Sequence, residues 1–215
     1  MKNRFYIILT LLLILLTSCS EEKSEKKYKN EISKEENRSK TVTKKSNLVL
    51  PISKKAIEYQ FVFKNLENQS TKLLLKNDIY NFTNIKQPIV MVSLFSTWCP
   101  PCIGQLPHLS SLQKKFKENL FILSALVYDD RSNKELKKFM IAQKVSFFIS
   151  HNQKENLKFA QMITPKLGLP KDDFPLPLMI LFLNGKYFTH YEGIMPEEMI
   201  ESDIKQALKK LKGKS

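Results

Sequence analysis

Apolar and polar residues alternate along this chain in blocks that predict an α/β domain. Two continuous apolar runs, Ile89 to Phe95 and Leu120 to Val127, are typical of strands buried on both faces. Each run is followed by apolar residues at helical spacing, in one segment from Pro100 and in another capped by Ser132. The order strand, helix, strand predicts a parallel pair of strands joined by a right-handed crossover.

The rest of the apolar pattern predicts an edge strand, a strand–helix unit, a hairpin and a last helix. Four prolines between residues 164 and 177 predict a mostly extended loop. The hairpin is predicted around the turn Asn184-Gly185. These elements are the edge strand Glu58 to Lys64, the strand Phe147 to Ile149, the helix Leu157 to Ile163, the hairpin strands Leu178 to Leu183 and Lys186 to Tyr191, and a helix opened by Pro196.

The first 47 residues differ in composition from everything that follows. Residues 1–18 have the basic start and short apolar core of a secretory signal, and the twelve mostly apolar residues from Phe5 to Leu16 are too few to span a bilayer core of about 30 Å. Leu16-Thr17-Ser18-Cys19 resembles the lipobox of bacterial lipoproteins, which predicts Cys19 as the lipid anchor; an ordinary signal with an incidental cysteine is the alternative. Residues 19–47 are then a lipidated cysteine plus a disordered charged tether, or else a frayed terminus, and residues 48–215 form one domain.

The formal net charge of +14 changes this picture little. Lysine supplies nearly all of the excess, and the lysines are scattered along helix faces rather than grouped with aromatic residues on one surface. Nucleic-acid binding requires such a concentrated basic surface, so no nucleic-acid partner is predicted. A mild affinity for anionic lipid headgroups or acidic partners stays open.

The stretch Trp98-Cys99-Pro100-Pro101-Cys102 holds the candidate chemistry, because it joins a buried strand to a helix. A thiol at a helix N-terminus is acidified by the unpaired N–H groups and the helix dipole. We therefore expect an exposed, partly ionised Cys99 at the mouth of the helix and a shielded Cys102 one turn further in. A zinc knuckle is disfavoured because no second Cys or Cys/His pair completes four ligands.

These residues, in this order of elements, resemble the thioredoxin family and, more closely, its TlpA/ResA-like extracytoplasmic branch. The motif residues are Trp98 to Cys102, Pro107 in the following helix and Pro177 before the hairpin. The resemblance implies an α/β, thioredoxin-like three-layer fold with a mixed sheet, an N-terminal strand extension and a βα insertion before a cis-proline.

The resemblance also implies roles for individual residues. Cys99 is the nucleophile and Cys102 the resolving thiol, supported by Trp98, Pro100, Pro101 and the kink proline Pro107. Leu176 and Pro177, joined by a cis peptide bond facing the cysteine pair, form a substrate-binding element; Pro175, two residues earlier, is the alternative cis-proline. No cofactor or metal is expected beyond the redox-active disulfide Cys99–Cys102.

The function implied is that of a thiol-disulfide oxidoreductase, in the reducing direction. It would be lipid-anchored in the bacterial cell envelope, facing the periplasm. Its partners would be protein thiol or disulfide clients, among them apocytochrome c, and a membrane thiol electron donor or acceptor. The alternatives are a disulfide oxidant or isomerase and a non-enzymatic thioredoxin-like module that binds metal or an unfolded chain.

Two residues depart from the family pattern. Ser93 stands where plain thioredoxins have a buried carboxylate, and Gln105 stands where TlpA-like members often have a glutamate. Neither side chain titrates, so the group that takes the proton of the resolving thiol is left open. The histidines His108, His151 and His190 are predicted as surface residues; a copper site would need one of them beside the cysteine pair.

Overall fold

The computed structural model describes residues 59–213. The predicted signal peptide, the predicted lipid anchor Cys19 and the predicted charged tether lie outside the described residues. In chain order the elements are β1 (Tyr59–Lys64), β2 (Ser70–Lys76), β3 (Ile79–Phe82), β4 (Ile89–Phe95), α1 (Pro100–Lys115), β5 (Leu120–Leu126), α2 (Asn133–Ala142), β6 (Phe148–Ser150), α3 (Gln153–Ile163), a 3₁₀ helix (Thr164–Leu167), β7 (Leu178–Leu183), β8 (Lys186–Glu192) and α4 (Glu197–Lys212).

A mixed five-stranded sheet forms the centre of the domain, in the order β6-β5-β4-β7-β8. Strand β4 pairs parallel with β5 and antiparallel with β7, so both of its edges are occupied. Every residue of β4 is buried, as its continuous apolar run predicts. The predicted crossover and hairpin are both present, and Asn184 and Gly185 adopt φ of 48° and 73° in the hairpin turn.

The sheet separates two apolar layers. On one face, odd-numbered residues of β4 such as Met91 pack with Leu106 and Leu109 of α1 and with Ile200 of α4. On the other face, even-numbered residues such as Val92 pack with α3 and with a second, smaller sheet. The architecture is therefore the three-layer α/β fold predicted for a thioredoxin-like protein.

The smaller sheet has three antiparallel strands in the order β1-β2-β3. The predicted edge strand that ends at Lys64 is confirmed, whereas β2 and β3 were not predicted. A signal for them exists: Thr71, Leu73 and Leu75 are buried and alternate with the more exposed Lys72, Leu74 and Lys76. Asn77-Asp78 then forms the turn with φ of 49° and 58°, which is typical of a tight hairpin.

The inserted strand and helix occur between α2 and β7, with boundaries that differ from those predicted. The helix α3 begins at Gln153 rather than Leu157, and its buried Asn156 donates to the carbonyl oxygens of Leu126 and Ser150, each at 2.9 Å. The following segment is not simply extended, because Thr164–Leu167 forms a 3₁₀ turn. Proline is well tolerated in the first turn of a helix, and Gly168, with φ of 80°, ends this one.

Candidate active site

The strand β4 delivers the cysteine pair to the N-terminus of α1. Cys99 is the N-cap residue of this helix, and the backbone N–H of Cys102 donates to the Cys99 sulfur at 3.3 Å. Pro100 and Pro101 occupy the first turn, where backbone N–H groups have no partner within the helix, so proline loses no helical hydrogen bond there. Cys99 and Cys102 form a disulfide with their Cα atoms 5.2 Å apart. The helix N-terminus thus lies directly against the sulfur that the sequence analysis selects as the nucleophile.

The expected exposure of Cys99 is wrong for this disulfide form. Cys99 is only 5% exposed and Cys102 1% exposed. The cause is the loop before β7, which brings the carbonyl oxygen of Leu176 to 3.7 Å from the Cys99 sulfur. The neighbouring Trp98 is 60% exposed, so the surface beside the pair is open although the sulfurs are covered.

The peptide bond between Leu176 and Pro177 is cis, and among the described residues no other peptide bond is cis. Pro177, rather than Pro175, is therefore the cis-proline, and the carbonyl of the residue before it, Leu176, faces Cys99. The Pro177 carbonyl oxygen accepts from the backbone N–H of Gly193 at 2.8 Å. This bond joins the cis-proline loop to the loop between β8 and α4.

The three residues before Cys99 are tied to the loop that follows β5. The Ser96 hydroxyl donates to the Val127 carbonyl, and the Trp98 indole N–H donates to the Tyr128 carbonyl at 2.6 Å. Between them, the N–H and the hydroxyl of Thr97 both donate to Oδ2 of Asp129, each at 2.6 Å. These bonds prolong the pairing of β4 with β5 past the end of the sheet.

Asp129 and Arg131 lie beside the site and were not predicted from the sequence. The buried Asp129 also accepts from the backbone N–H of Arg131 at 3.1 Å, and Nε of Arg131 donates to the Thr97 hydroxyl. The Arg131 guanidinium lies 5.3 Å from the centre of the Phe139 ring. A signal was available, because Asp129 follows the carboxyl end of a parallel strand, where functional polar residues collect.

The two residues that depart from the family pattern are both buried. Ser93 pairs in register with Ser124 of β5. As an odd-numbered residue of β4, it lies on the face of the sheet that packs against the apolar cluster containing both cysteines. Gln105 lies three residues after Cys102, and its Oε1 accepts from the backbone N–H of Met195 at 2.7 Å. Its Nε2 is buried and has no hydrogen-bond partner among the described residues. Gln105 therefore connects α1 to the loop between β8 and α4.

Pro107 lies inside α1, as the resemblance implies. His108 contacts Glu197 at 3.5 Å, and Nδ1 of His190 bonds the Tyr187 hydroxyl at 2.7 Å. The backbone N–H of His151 donates to the Lys64 carbonyl at 3.0 Å, and its ring is not fully on the surface as predicted, because its Nδ1 is buried with no partner among the described residues. Within residues 59–213 no three His, Cys, Asp or Glu side chains gather as a metal site would need. Over the same range no helix is long and apolar enough to cross a membrane.

The fold and the disulfide define a thioredoxin-like protein with a Cys-x-x-Cys pair at the start of a helix. The AhpC/TSA family model matches residues 60–170, more than half of the chain, and the chain belongs to this family. The predicted membership of the thioredoxin superfamily is thereby confirmed. No curated protein matches the sequence.

Two solved structures illustrate the shared fold. One is a thiol:disulfide interchange protein of the thioredoxin family from Chlorobium tepidum TLS, with 16% identity and a TM-score of 0.55; the match covers 69% of this chain and 93% of that chain. The other is a thiol:disulfide interchange protein from Bacteroides sp., with 18% identity and a TM-score of 0.51; the match covers 70% of this chain and 89% of that chain. At this identity the likeness establishes the fold.

Replacing Gln105 by methionine should loosen the loop at Met195 with little loss of stability. The change removes one hydrogen bond but also removes a buried donor that has no partner. We therefore expect the free energy of unfolding, measured in urea, to fall by less than about 1 kcal/mol. Hydrogen exchange at the Met195 amide should accelerate.

The matched control is Gln113→Met in the same helix. Nε2 of Gln113 donates to the Leu120 carbonyl at 2.8 Å, and its Oε1 accepts from the Ile122 N–H at 2.7 Å. The substitution leaves both backbone groups without these bonds, so it should lower the free energy of unfolding by more, about 2 kcal/mol. Unchanged exchange at Met195 in Gln105→Met would show that the side chain does not hold this loop.

Proposed function

We propose that this protein is a lipid-anchored thiol-disulfide oxidoreductase of the bacterial cell envelope that reduces disulfides in protein clients. The observation that carries the proposal is the position of the Cys99–Cys102 pair: at the N-terminus of α1, next to the cis-proline loop, and beside an exposed tryptophan. The two similar structures are described as thiol:disulfide interchange proteins, which agrees with this chemistry.

In the first step, the reduced pair presents Cys99 as a thiolate. The N–H of Cys102 and the N-terminus of α1 stabilise this negative charge. The thiolate attacks one sulfur of a client disulfide, a mixed disulfide forms between Cys99 and the client, and the client's other sulfur leaves as a thiolate.

In the second step, Cys102 loses its proton and attacks the sulfur of Cys99. The mixed disulfide breaks, the client's remaining sulfur leaves as a thiolate, and the pair closes to the disulfide seen in the structure. Two electrons have then passed from the pair to the client. A dithiol donor returns the pair to its reduced form, and in an oxidising compartment we assign this task to a membrane thiol relay.

Client binding is assigned to Leu176 and Pro177. The Leu176 carbonyl faces the Cys99 sulfur, so an extended client chain laid along this loop would place its disulfide within reach of Cys99. The exposed face of Trp98 adds apolar contact beside the same groove. Apocytochrome c, with its haem-binding Cys-x-x-Cys-His, is the client that we propose on the basis of the resemblance.

A Cys102→Ser variant should accumulate mixed disulfides with clients, because the resolving thiol is gone and the first step can still occur. A Cys99→Ser variant should accumulate none. Non-reducing electrophoresis followed by mass spectrometry identifies both the attached cysteine and the client. Trapping by Cys99→Ser and not by Cys102→Ser would reverse the assigned roles.

Equilibration with reduced and oxidised glutathione should place the pair among the reductants, at a reduction potential below about −250 mV. A value near about −120 mV would instead indicate an oxidant. Complete lack of exchange would leave the non-enzymatic binding module as the function. Acid trapping and alkylation of the samples quantify the two redox forms, with Cys99→Ser as the inactive control.

The mature protein should begin at an acylated Cys19. Mass spectrometry of the N-terminal peptide from the membrane fraction tests this directly, and a Cys19→Ser variant should lose the acyl mass and leave the membrane. An intact Met1 or an unmodified thiol at Cys19 in that fraction would contradict the anchor while leaving the redox chemistry untouched.

A further inference from the structure

The carboxylate of Asp129 is buried next to the active-site segment and has no role in the exchange steps described above. Its hydrogen bonds come from Thr97, through the N–H and the hydroxyl, and from the backbone N–H of Arg131. Among the described residues, the ion pairs of the domain do not include Asp129. The negative charge is therefore held by dipoles rather than cancelled by a cation in direct contact.

Arg131 reaches this carboxylate indirectly. Its Nε donates to the Thr97 hydroxyl, and that hydroxyl donates to Asp129. The guanidinium is also held over the ring of Phe139. The cation thus fixes the orientation of the Thr97 hydroxyl, while Thr97 separates it from the carboxylate.

The distance along the chain places this charge within electrostatic reach of Cys99. Thr97 precedes Cys99 by two residues, which span at most about 7 Å of backbone, and the carboxylate lies 2.6 Å from the Thr97 nitrogen, so it is within roughly 13 Å of the Cys99 sulfur. Asp129, Thr97 and Cys99 are buried, whereas Trp98 between Thr97 and Cys99 is 60% exposed, so solvent screens this charge only in part. A negative charge at this distance opposes formation of a thiolate.

The groups around the site act in opposite directions on a Cys99 thiolate. The N-terminus of α1 favours it, and so does Arg131. Asp129 disfavours it, as does the exposed Asp130. Asp172 and Asp173 add negative charge on the side of Tyr128, where burial of the ring and then these two carboxylates raise the pKa of its hydroxyl. The one other element bonded to Asp129 is α3, through the neutral side chain of Gln153, which accepts from the Asp129 backbone N–H at 3.0 Å.

We infer that Asp129 is a positioning residue that fixes the segment before Cys99 through Thr97 and, by its buried negative charge, keeps the thiolate fraction of Cys99 low. The inference rests on the proposed function, because it takes Cys99 as the attacking thiol. It adds a charged group to a site in which Ser93 and Gln105 are both neutral. A lower thiolate fraction favours the reducing direction, because a less stable thiolate gives up its electrons more readily.

The test is the pH dependence of Cys99 alkylation in the reduced, full-length protein in detergent, with the labelled cysteine identified by mass spectrometry. In Asp129→Asn the midpoint should fall by about one pH unit relative to the natural sequence, the size expected for one charge at this range. Thr97→Val keeps the charge and the shape but removes the hydroxyl link, so it should lose stability in urea without lowering the midpoint.

An unchanged midpoint in Asp129→Asn, or an equal fall in both variants, overturns the inference and leaves Asp129 with a purely structural role. If Asp129→Asn does not fold, Asp129→Ser replaces it, because it also removes the negative charge; an unchanged midpoint in that variant overturns the inference. Failure of the proposed function looks different, since Cys102 would then be labelled first, or neither cysteine would exchange, already in the natural sequence.

Discussion

Strand β4 is paired on both edges and covered on both faces, and the position of the cysteine pair depends on how its end is held. Beyond Phe95 the sheet hydrogen bonds stop, and the bonds from Ser96, Thr97 and Trp98 to the loop after β5 take their place. Because three consecutive residues, Ser96 to Trp98, are each bonded to this loop, the segment before Cys99 is held in place along its whole length. The first turn of α1 therefore starts from a defined point, and Cys99 is presented in one orientation.

The loops that face the disulfide are connected to each other by hydrogen bonds at long sequence separation. Gly193 joins the cis-proline loop, and Met195 joins α1 through Gln105. Asp129 joins the inserted helix α3 through Gln153. Through Gln153 the inserted helix α3 thus bonds the backbone of Asp129, whose carboxylate in turn accepts from Thr97 beside the cysteine pair.

The elements that the sequence predicted well are those whose signal is local. The buried run of β4 and the Asn184-Gly185 turn each carry a pattern within a few residues, and Ser132 caps α2 in a complete capping box with Glu135. The hairpin of β2 and β3 had such a signal as well, in Asn77-Asp78. The burial of Cys99 had none, because it arises from the carbonyl of Leu176, 77 residues away. The bonds of Asp129 to Thr97 and of Gln105 to Met195 are equally invisible in one sequence, since they depend on which loops the fold brings together.

The exposed indole beside the disulfide has an optical consequence. Trp98 is the single tryptophan of the chain, and its N–H is bonded to the loop after β5. Tryptophan absorption and emission from this protein therefore originate at the active site, with no background from the core. Each opening of the pair, each client that covers the indole and each loosening of its bond to Tyr128 can be followed in real time without a label.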